Sequence, residues 1–557
     1  MALAESRVVR LLVAIGLPGC CALPAQTAPT IQASARLVVV DVTVIDRNGN
    51  PVHGLKPSDF HLLEDKTPQT VRNFEEHTAA PAAEAPTAAA KLEPGVYTNA
   101  VSSTGAGPAN ILLLDMLNTP LASQSLVRAQ LLKYLMTAKP GTKIAIFALT
   151  SKLILLQGFT GDPEMLRLAV ARAGTKTPAV MGDKVGSGQN RTAELSAEIG
   201  AQLSVSPEML EAVTEFAADE KEVDGSLTAQ LTLSGMNQLA RYLGGIPGRK
   251  NLMWFSASFP IDMLGTHRRA GLDPFAGSQI WERQYRETVD LLAKNRVAVY
   301  PIDARGLMVA PLGFAARSFS TPVFETQSTM WDLAEGTGGK AFTNTNGLAQ
   351  AVEEVVENGA SYYTLSYTPT NANAHGEYRS IQVQVDGGSY KLGYRRGYDA
   401  NANDTPSPAS MRLAMKTAAR YGAPAATQIP FFARVLPAED TPVAARVELT
   451  KGRTVRYRVE YSTDPRGLAI ATAPDGTRHG HLEFVALVFD AEGKTINSDV
   501  KAVRAAWTPA QFAAAQTRGI RYEQEIAVPA KGRYNLRVMV HDLESDAIGT
   551  IDVALGR

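Results

Sequence analysis

Unbroken apolar runs alternate with regularly spaced apolar residues through the middle of this chain. Residues 111–114 read Ile-Leu-Leu-Leu, and residues 144–149 read Ile-Ala-Ile-Phe-Ala-Leu. Such continuous apolar runs are typical of strands that are buried on both faces of a parallel sheet. Between them, apolar residues recur every three or four positions from Leu126 to Leu135, which is the spacing of an amphipathic helix. This strand–helix–strand order predicts a doubly wound α/β domain over residues 109–370.

Similar elements continue this alternation along the domain. We predict further strands at residues 153–156, 252–255 and 297–300, and helices near residues 163–173, 226–243, 278–294, 327–335 and 347–357. The first of these strands follows its predecessor too closely for a crossover, so we predict antiparallel pairing at the sheet edge. Residues 176–225 interrupt the alternation with Gly-, Ser- and Asn-containing sequence and then many acidic residues. We interpret them as an insertion that is either a functional loop or a solvated acidic helix.

Short strand patterns flank the α/β domain on both sides. Residues 36–77 predict a small β module, and residues 371–400 predict a hairpin extension. Residues 429–557 contain many strand patterns with intervening turns, which predicts a β-sandwich. Residues 78–108, rich in Ala and Pro, and residues 401–428 are interpreted as linkers. One helix is predicted in the sandwich, after the capping box Thr508-Pro-Ala-Gln511.

The first 25 residues have the order of an export signal. Arg7 and Arg10 precede an apolar segment at residues 11–17 and a stretch of mostly small residues that ends at Ala25. We therefore expect a secreted protein in the periplasm, on the outer membrane surface or outside the cell. Leu17-Pro-Gly-Cys20 is also similar to a lipoprotein processing site, so a lipid anchor at Cys20 is the alternative to simple cleavage. No later run approaches the roughly 20 apolar residues that a transmembrane helix needs.

The balance of charged residues and the search for catalytic motifs limit the classes of function that we expect for this protein. Lys and Arg together number 55, as do Asp and Glu, so no overall positive field favours nucleic acid. The sequence contains no His-Glu-x-x-His, no Gly-x-Ser-x-Gly, no phosphate-binding loop, and no dinucleotide-binding glycine motif after a strand. We therefore expect a protein that is not an enzyme and that has no catalytic or cofactor-binding residues. A hydrolase with an unrecognised active site in the insertion or the sandwich is the alternative.

Polar residues follow two of the predicted central strands. Ligands of open α/β sheets bind at the carboxyl ends of the strands, so these positions are the candidate binding face. The residues of this face are Asp115, Asn118, Thr119, Ser256 and Ser258. The alternative is that Asp115 and Thr119 cap the helix that follows them, as Asp and Thr commonly do.

Several of these segments together resemble a known family. Ile111–Thr119, Ile144–Leu149 with Leu155–Thr160, and Asn251–Ser256 resemble von Willebrand factor type A domains, in the VWFA-related form of exported acidobacterial proteins. Gly54–Phe60, in the preceding β module, is similar to the same group. The resemblance implies a doubly wound sheet that binds another protein through a divalent metal at its top, the metal-ion-dependent adhesion site.

The resemblance carries over to the metal site only in part. The family pattern is Asp-x-Ser-x-Ser, a later threonine, and an aspartate after the fourth strand. Asp115 and Thr119 match the first pattern and Thr175 matches the threonine, whereas Leu117 and Ala257 stand where a hydroxyl and the second aspartate belong. The resemblance thus implies a degenerate site for Mg²⁺ or Mn²⁺ at Asp115, Thr119 and Thr175.

These observations predict an exported adhesion or scaffold protein that binds another protein through the α/β domain, without covalent chemistry. A structural envelope protein that has lost ligand binding remains the alternative, because the metal pattern is incomplete.

Overall fold

A computed structural model of the chain describes residues 37–78, 92–101, 108–139, 141–173, 227–258, 276–307, 327–371, 375–401, 408–438 and 453–555. The expected signal peptide with Cys20, Thr175 and the insertion at 176–225 lie outside the described residues. Within those ranges, none of the helices combines the length and the apolar character needed to cross a bilayer.

A five-stranded sheet forms the centre of the α/β domain, as the apolar runs predicted. Its strands lie in the order Val297–Asp303, Lys250–Ser256, Ala109–Asp115, Ile144–Leu149 and Leu153–Thr160. The first four are parallel, and the last pairs antiparallel at the edge, which confirms the prediction from its short connection.

Helices cover both faces of this sheet. Alternate residues of one strand face opposite sides, so Leu112 and Leu114 belong to one core whereas Ile111 and Leu113 belong to the other. The first core is closed by Leu121–Thr137, Pro163–Arg172 and Leu348–Asn358. The second is closed by helices at residues 227–243 and 327–337 and by Ala276–Lys294. This burial on both sides explains why the strand sequences lack polar alternation.

An N-terminal sandwich is assembled from two distant parts of the chain. One sheet has the order Lys391–Gly393, Val38–Ile45, Tyr362–Tyr367 and Asn73–His77. The other has the order Gly397–Asn401, His375–Val385, Phe60–Glu64 and Thr67–Gln69. The predictions had separated these parts: residues 36–77 as a module of their own, residues 371–400 as an extension, and residues 362–370 within the α/β domain. In the structure, the described strands of all three segments belong to one sandwich. Such a short module cannot bury a sufficient core alone, so its valines pack against the later strands.

A C-terminal sandwich contains strands at described positions where strand patterns were predicted, whereas the pattern at residues 447–449 lies outside the described residues. One sheet contains Ile520–Pro529, Thr454–Thr463, Phe431–Pro437 and Val96–Thr98, in that order. The other contains Ala471–Thr472, Arg478–Phe489, Tyr534–Asp542 and Ile548–Leu555, with Thr495–Trp507 also paired to Arg478–Phe489. The predicted helix is Pro509–Arg518, and the capping box between Thr508 and Gln511 is present at its start.

Both segments interpreted as linkers contain ordered elements. Within 78–108, the strand Val96–Thr98 pairs with Phe431–Pro437 and extends the C-terminal sandwich. Within 401–428, the helix Pro408–Ala418 packs on the outer face of the second sheet of that sandwich. The linker interpretations were therefore wrong in these parts. A three-residue strand held by backbone hydrogen bonds leaves little compositional signal, because its partner comes from over 300 positions away.

A buried polar contact joins the α/β domain to the C-terminal sandwich. Arg241, on the helix at 227–243, donates hydrogen bonds to the carbonyl and to the carboxylate of Asp546. The other carboxylate oxygen of Asp546 lies 2.9 Å from Nε2 of His541. Burial alone would lower the pKa of His541, but hydrogen bonds to Asp546 and Glu483 raise it overall. The two domains therefore meet through a buried ion pair, whose hydrogen bonds have a defined direction.

Candidate functional site at the strand ends

The candidate site lies where the strand order of the central sheet reverses. Ala109–Asp115 is flanked by Lys250–Ser256 on one side and by Ile144–Leu149 on the other, and all three strands are parallel. The chain connections on the two sides of Ala109–Asp115 run in opposite directions, which opens a crevice beyond the carboxyl ends of these strands. Asp115 ends the first strand and Ser256 ends its neighbour, so the topology brings together the two predicted segments.

The carboxylate of Asp115 accepts five hydrogen bonds in the interior. Its Oδ1 accepts from the backbone N–H groups of Leu117 at 3.1 Å and Asn118 at 2.9 Å. Its Oδ2 accepts from Nδ2 of Asn118 at 2.8 Å, Nε1 of Trp254 at 3.0 Å and Oγ of Ser256 at 2.8 Å. The side chain is buried, and burial raises the pKa of Asp115 although these hydrogen bonds oppose the rise.

Strand periodicity explains this convergence of donors. Trp254 and Ser256 are two residues apart, so they point to the same face of their strand. The strand lies beside Ala109–Asp115, with Leu114 opposite Phe255, which brings that face within reach of the carboxylate. The donors from Leu117 and Asn118 come from the loop that immediately follows Asp115. Asp115 therefore fastens its own loop to the neighbouring strand.

The helix after this loop does not use Asp115 or Thr119 as a cap. It begins at Leu121, its N-cap residue is Pro120, and no side chain accepts a hydrogen bond at the cap. Instead, Oγ1 of Thr119 accepts from the backbone N–H of Ala257 at 3.2 Å. The structure thus does not show the helix cap that was the alternative. The hydrogen bond of Thr119 instead connects the loop to the neighbouring strand end.

The five residues of the predicted binding face do come together, but most are buried. Oγ of Ser258 donates to the carbonyl of Asn118 at 3.2 Å, and Nδ2 of Asn118 lies 2.9 Å from Oγ1 of Thr232 on the helix at 227–243. Asp115, Asn118, Thr119 and Ser256 are buried, and Ser258 is half-buried. Four of the five side chains are therefore withdrawn from solvent.

Exposed apolar side chains follow two of the strands that end at this edge of the sheet. Leu121 is 67% exposed at the start of its helix, and Leu307 is 59% exposed after the strand Val297–Asp303. The loop before Leu307 is tied back to the sheet, because the N–H of Ala304 donates to the carbonyl of Ser256. Sequence reasoning missed both leucines, since an exposed leucine has no sequence signature apart from a polar neighbourhood.

A second buried aspartate ends the next strand. Asp303 accepts hydrogen bonds from its neighbour Arg305, from Nε at 2.9 Å and from an NH2 group at 2.8 Å. Its side chain is fully buried. The guanidinium supplies the countercharge, so Asp303 is not available as the missing second carboxylate of a metal site. The sequence itself indicates this pairing, because Asp303 and Arg305 are only two positions apart.

The residues at Asp115 do not fit a divalent cation. Four N–H groups point their protons at the carboxylate oxygens, the positions that Mg²⁺ would need. The hydroxyl of Ser256 also lies against Oδ2, but its single proton is shared with the carbonyl oxygen of Ser258 at 2.7 Å. Leu117 and Ala257 supply no oxygen from their side chains. Thr175, the third ligand implied by the resemblance, lies outside the described residues.

Titration of the full chain with Mg²⁺ or Mn²⁺ is expected to produce no saturable heat at protein concentrations suited to micromolar affinity. Binding would first have to displace donors from Asp115, which are held in a buried site. Isothermal calorimetry is the measurement, with Asp115→Ala as the comparison. Saturable heat from the natural chain that Asp115→Ala abolishes would show that the loop opens to admit a cation.

A cleft lies between the N-terminal sandwich and the α/β domain. It has a volume of about 310 Å³, and Trp331, Phe342 and Leu392 are among its lining residues. Its acidic side chains form ion pairs: Glu354 with Lys340, and Glu335 with Arg396. Surface ion pairs of this kind are ordinary, so they do not identify a catalytic carboxylate.

Comparisons with known proteins give only weak likenesses. No protein-family model matches the sequence, and no curated protein matches it. An aerotolerance-related membrane protein from Bacteroides fragilis is 11% identical, covering 45% of this chain and 98% of its own, with a TM-score of 0.24. The pilus adhesin SpaC from Lactobacillus rhamnosus GG is 8% identical, covering 92% and 58%, with a TM-score of 0.25. The ArnB paralog VWA2 from Sulfolobus acidocaldarius is 10% identical, covering 89% and 75%, with a TM-score of 0.21. Because these scores are low, the α/β assignment rests on the strand order and helix packing described above.

Proposed function

We propose that this chain is an exported, non-enzymatic adhesion or scaffold protein that binds another protein at the carboxyl-end rim of its central sheet. The observation that carries this proposal is the bracing of the loop at residues 116–119. Five hydrogen bonds to one buried carboxylate hold this loop, and the described residues contain no group of three or more His, Cys, Asp or Glu side chains that could hold a metal ion. A surface that is already ordered loses less conformational entropy when it binds a partner.

The exposed side chains at the rim suit contact with a protein. Leu121 and Leu307 are apolar and largely exposed, and both belong to segments held by hydrogen bonds nearby. Apolar side chains on a rigid frame are typical anchors in protein interfaces, where a few residues carry most of the binding energy. In this proposal, Asp115, Asn118, Thr119 and Ser256 hold the frame, and Ser258 and the leucines form the contact.

Capture of envelope and secreted proteins from the source organism tests the proposed face. The full natural chain is immobilised beside a Leu121→Asp, Leu307→Asp double variant, and bound proteins are quantified by mass spectrometry. We expect the double variant to retain about tenfold less of a specific partner, because two charges would be buried at the contact. The matched control is Val500→Asp, which changes a residue that is 51% exposed on the C-terminal sandwich.

Equal capture by the natural chain and the double variant would rule out this face. Capture of nothing above background by the natural chain would favour the structural envelope protein without ligand binding. That alternative is favoured by the same bracing at Asp115 and by the buried contact of Arg241 with Asp546, which a rigid spacer also needs. Mass spectrometry of the mature N-terminus tests export, and it separates signal cleavage from lipidation at Cys20.

A further inference from the structure

Two arginines lie where the N-terminal sandwich meets the α/β domain. Arg296 donates to both carboxylate oxygens of Asp41, from Nε at 2.9 Å and from an NH2 group at 2.6 Å. Oγ1 of Thr364 donates to the same carboxylate at 2.8 Å. Although burial alone would raise the pKa of Asp41, its contacts with Arg296 and Arg249 lower it overall. Arg296 and Asp41 therefore form a neutral, bidentate pair.

Arg249 is a second guanidinium at this interface, and it is only 2% exposed. Its NH2 group donates to the carbonyl of Gly338 at 2.6 Å and to the hydroxyl oxygen of Tyr300 at 3.2 Å. These acceptors are neutral, and among the described residues its Nε has no acceptor at all. The carboxylate of Asp41 is already held by Arg296. Among the described residues, the charge nearest to balancing Arg249 is the carboxylate of Asp41, which Arg249 shares with Arg296. One carboxylate between two buried cations leaves part of the positive charge uncompensated, which is costly in the interior.

A small void lies against this group. It has a volume of about 20 Å³, and its charged lining residues are Asp41, Arg249, Arg296 and Arg395. Arg249 and Arg296 therefore share one carboxylate at this void, and Arg395 also lines it. Glu75 also acts on Arg296, but the side chain of Glu75 is 71% exposed and screened by solvent. The volume is sufficient for one water molecule or one ion of similar size.

The neighbouring residue Lys250 lies in the same buried surroundings. Its Nζ donates to the carbonyl of Asn295 at 2.7 Å. Burial, and secondly the charge of Arg296, lower the pKa of Lys250 to about 7, although Asp41 opposes this change. Burial disfavours the charged form of any lysine, and the guanidinium of Arg296 adds to that effect.

We propose that this void binds one small monovalent inorganic anion of the size of chloride, which supplies the countercharge of Arg249. The anion accepts hydrogen bonds from guanidinium groups of the α/β domain and of the segment that follows Lys391–Gly393. It therefore joins the N-terminal sandwich to the α/β domain. This site is separate from the strand-end crevice and does not depend on the protein partner proposed above.

Thermal unfolding of the full chain in chloride tests the proposal. Sodium chloride replaces sodium gluconate at constant ionic strength, because gluconate is too large for the void. We expect the unfolding midpoint to rise with chloride and to saturate. Arg395→Gln removes one charge from the lining without removing the pair of Arg296 and Asp41, and we expect it to weaken the apparent chloride affinity about tenfold. Arg396→Gln is the matched control, because Arg396 lies next in sequence and does not line this void.

Anomalous diffraction from crystals of the natural chain grown in bromide provides the second measurement, which does not depend on any variant folding. We expect a bromide peak between Arg249 and Arg395. Bromide at surface positions only, or a water molecule in the void, would overturn the proposal. An unfolding midpoint that is equal in chloride and gluconate would also overturn it, as would a response that Arg395→Gln and Arg396→Gln change to the same degree.

Discussion

Asp115→Asn is expected to lower the free energy of unfolding by about 3 kcal/mol, although the two side chains have almost the same shape. The carboxylate accepts from two donors at Oδ1 and three at Oδ2. An asparagine amide has one oxygen and one NH2 group, so in either orientation its protons face donors. Two or three buried donors then lose their acceptor, and the loop at residues 116–119 loses its tie to the neighbouring strand.

Urea unfolding of the full chain, followed by tryptophan fluorescence, measures this effect because Trp254 contacts the altered group. Hydrogen exchange of peptides that cover residues 109–119 localises the change within this multidomain chain. The matched control is Asp386→Asn, which changes a carboxylate that is 66% exposed, and it is expected to have little effect. If both variants unfold at the same urea concentration, Asp115 does not hold the loop.

Glu64→Gln is expected to destabilise the N-terminal sandwich by about 3 kcal/mol, because it removes the countercharge of a buried arginine. The side chains of Glu64 and Arg379 are each 3% exposed, and Nη1 of Arg379 lies 3.1 Å from Oε1 of Glu64. The other oxygen of Glu64 accepts from the hydroxyls of Tyr367 at 2.6 Å and Tyr398 at 2.8 Å. Burial, and then the hydrogen bond to Glu64, raise the pKa of Tyr398 to about 12.

Hydrogen exchange of the strands Val38–Ile45 and Phe60–Glu64 is the appropriate measurement, because the described residues of this sandwich contain no tryptophan. Faster exchange in both strands, with unchanged exchange in the C-terminal sandwich, is the expected result. Glu75→Gln is the matched control on an exposed position of the same sandwich. Unaltered exchange in Glu64→Gln would mean that neutral hydrogen bonds replace the ion pair without loss.

The described elements of the α/β domain could be predicted because their signals are local. Residues 111–114 and 144–149 are apolar without interruption, and both are buried central strands. The short connection before Leu153 predicted an antiparallel edge, and Leu153–Thr160 has that position. Thr508-Pro-Ala-Gln511 predicted the helix Pro509–Arg518, because a capping box acts within one turn.

The domain boundaries could not be predicted in the same way. Val40 pairs opposite Leu365, so the N-terminal sandwich needs two segments that are far apart in the chain. Val96–Thr98 joins a sheet whose other strands begin at Phe431. Strand patterns indicate that a segment is extended and which of its faces is apolar, but they do not identify the partner strand.

The candidate site shows the same division. The sequence alone determined that Asp115 ends a buried strand, that a polar loop follows it, and that Leu117 and Ala257 cannot complete a metal site through their side chains. Only the tertiary structure decided that Trp254, Ser256 and Asn118 saturate the carboxylate, that Arg305 neutralises Asp303, and that Arg249 shares the charge of Asp41 with Arg296. The physical reason is that hydrogen bonds and ion pairs act over a few ångströms in space, whereas a sequence pattern records only neighbours along the chain.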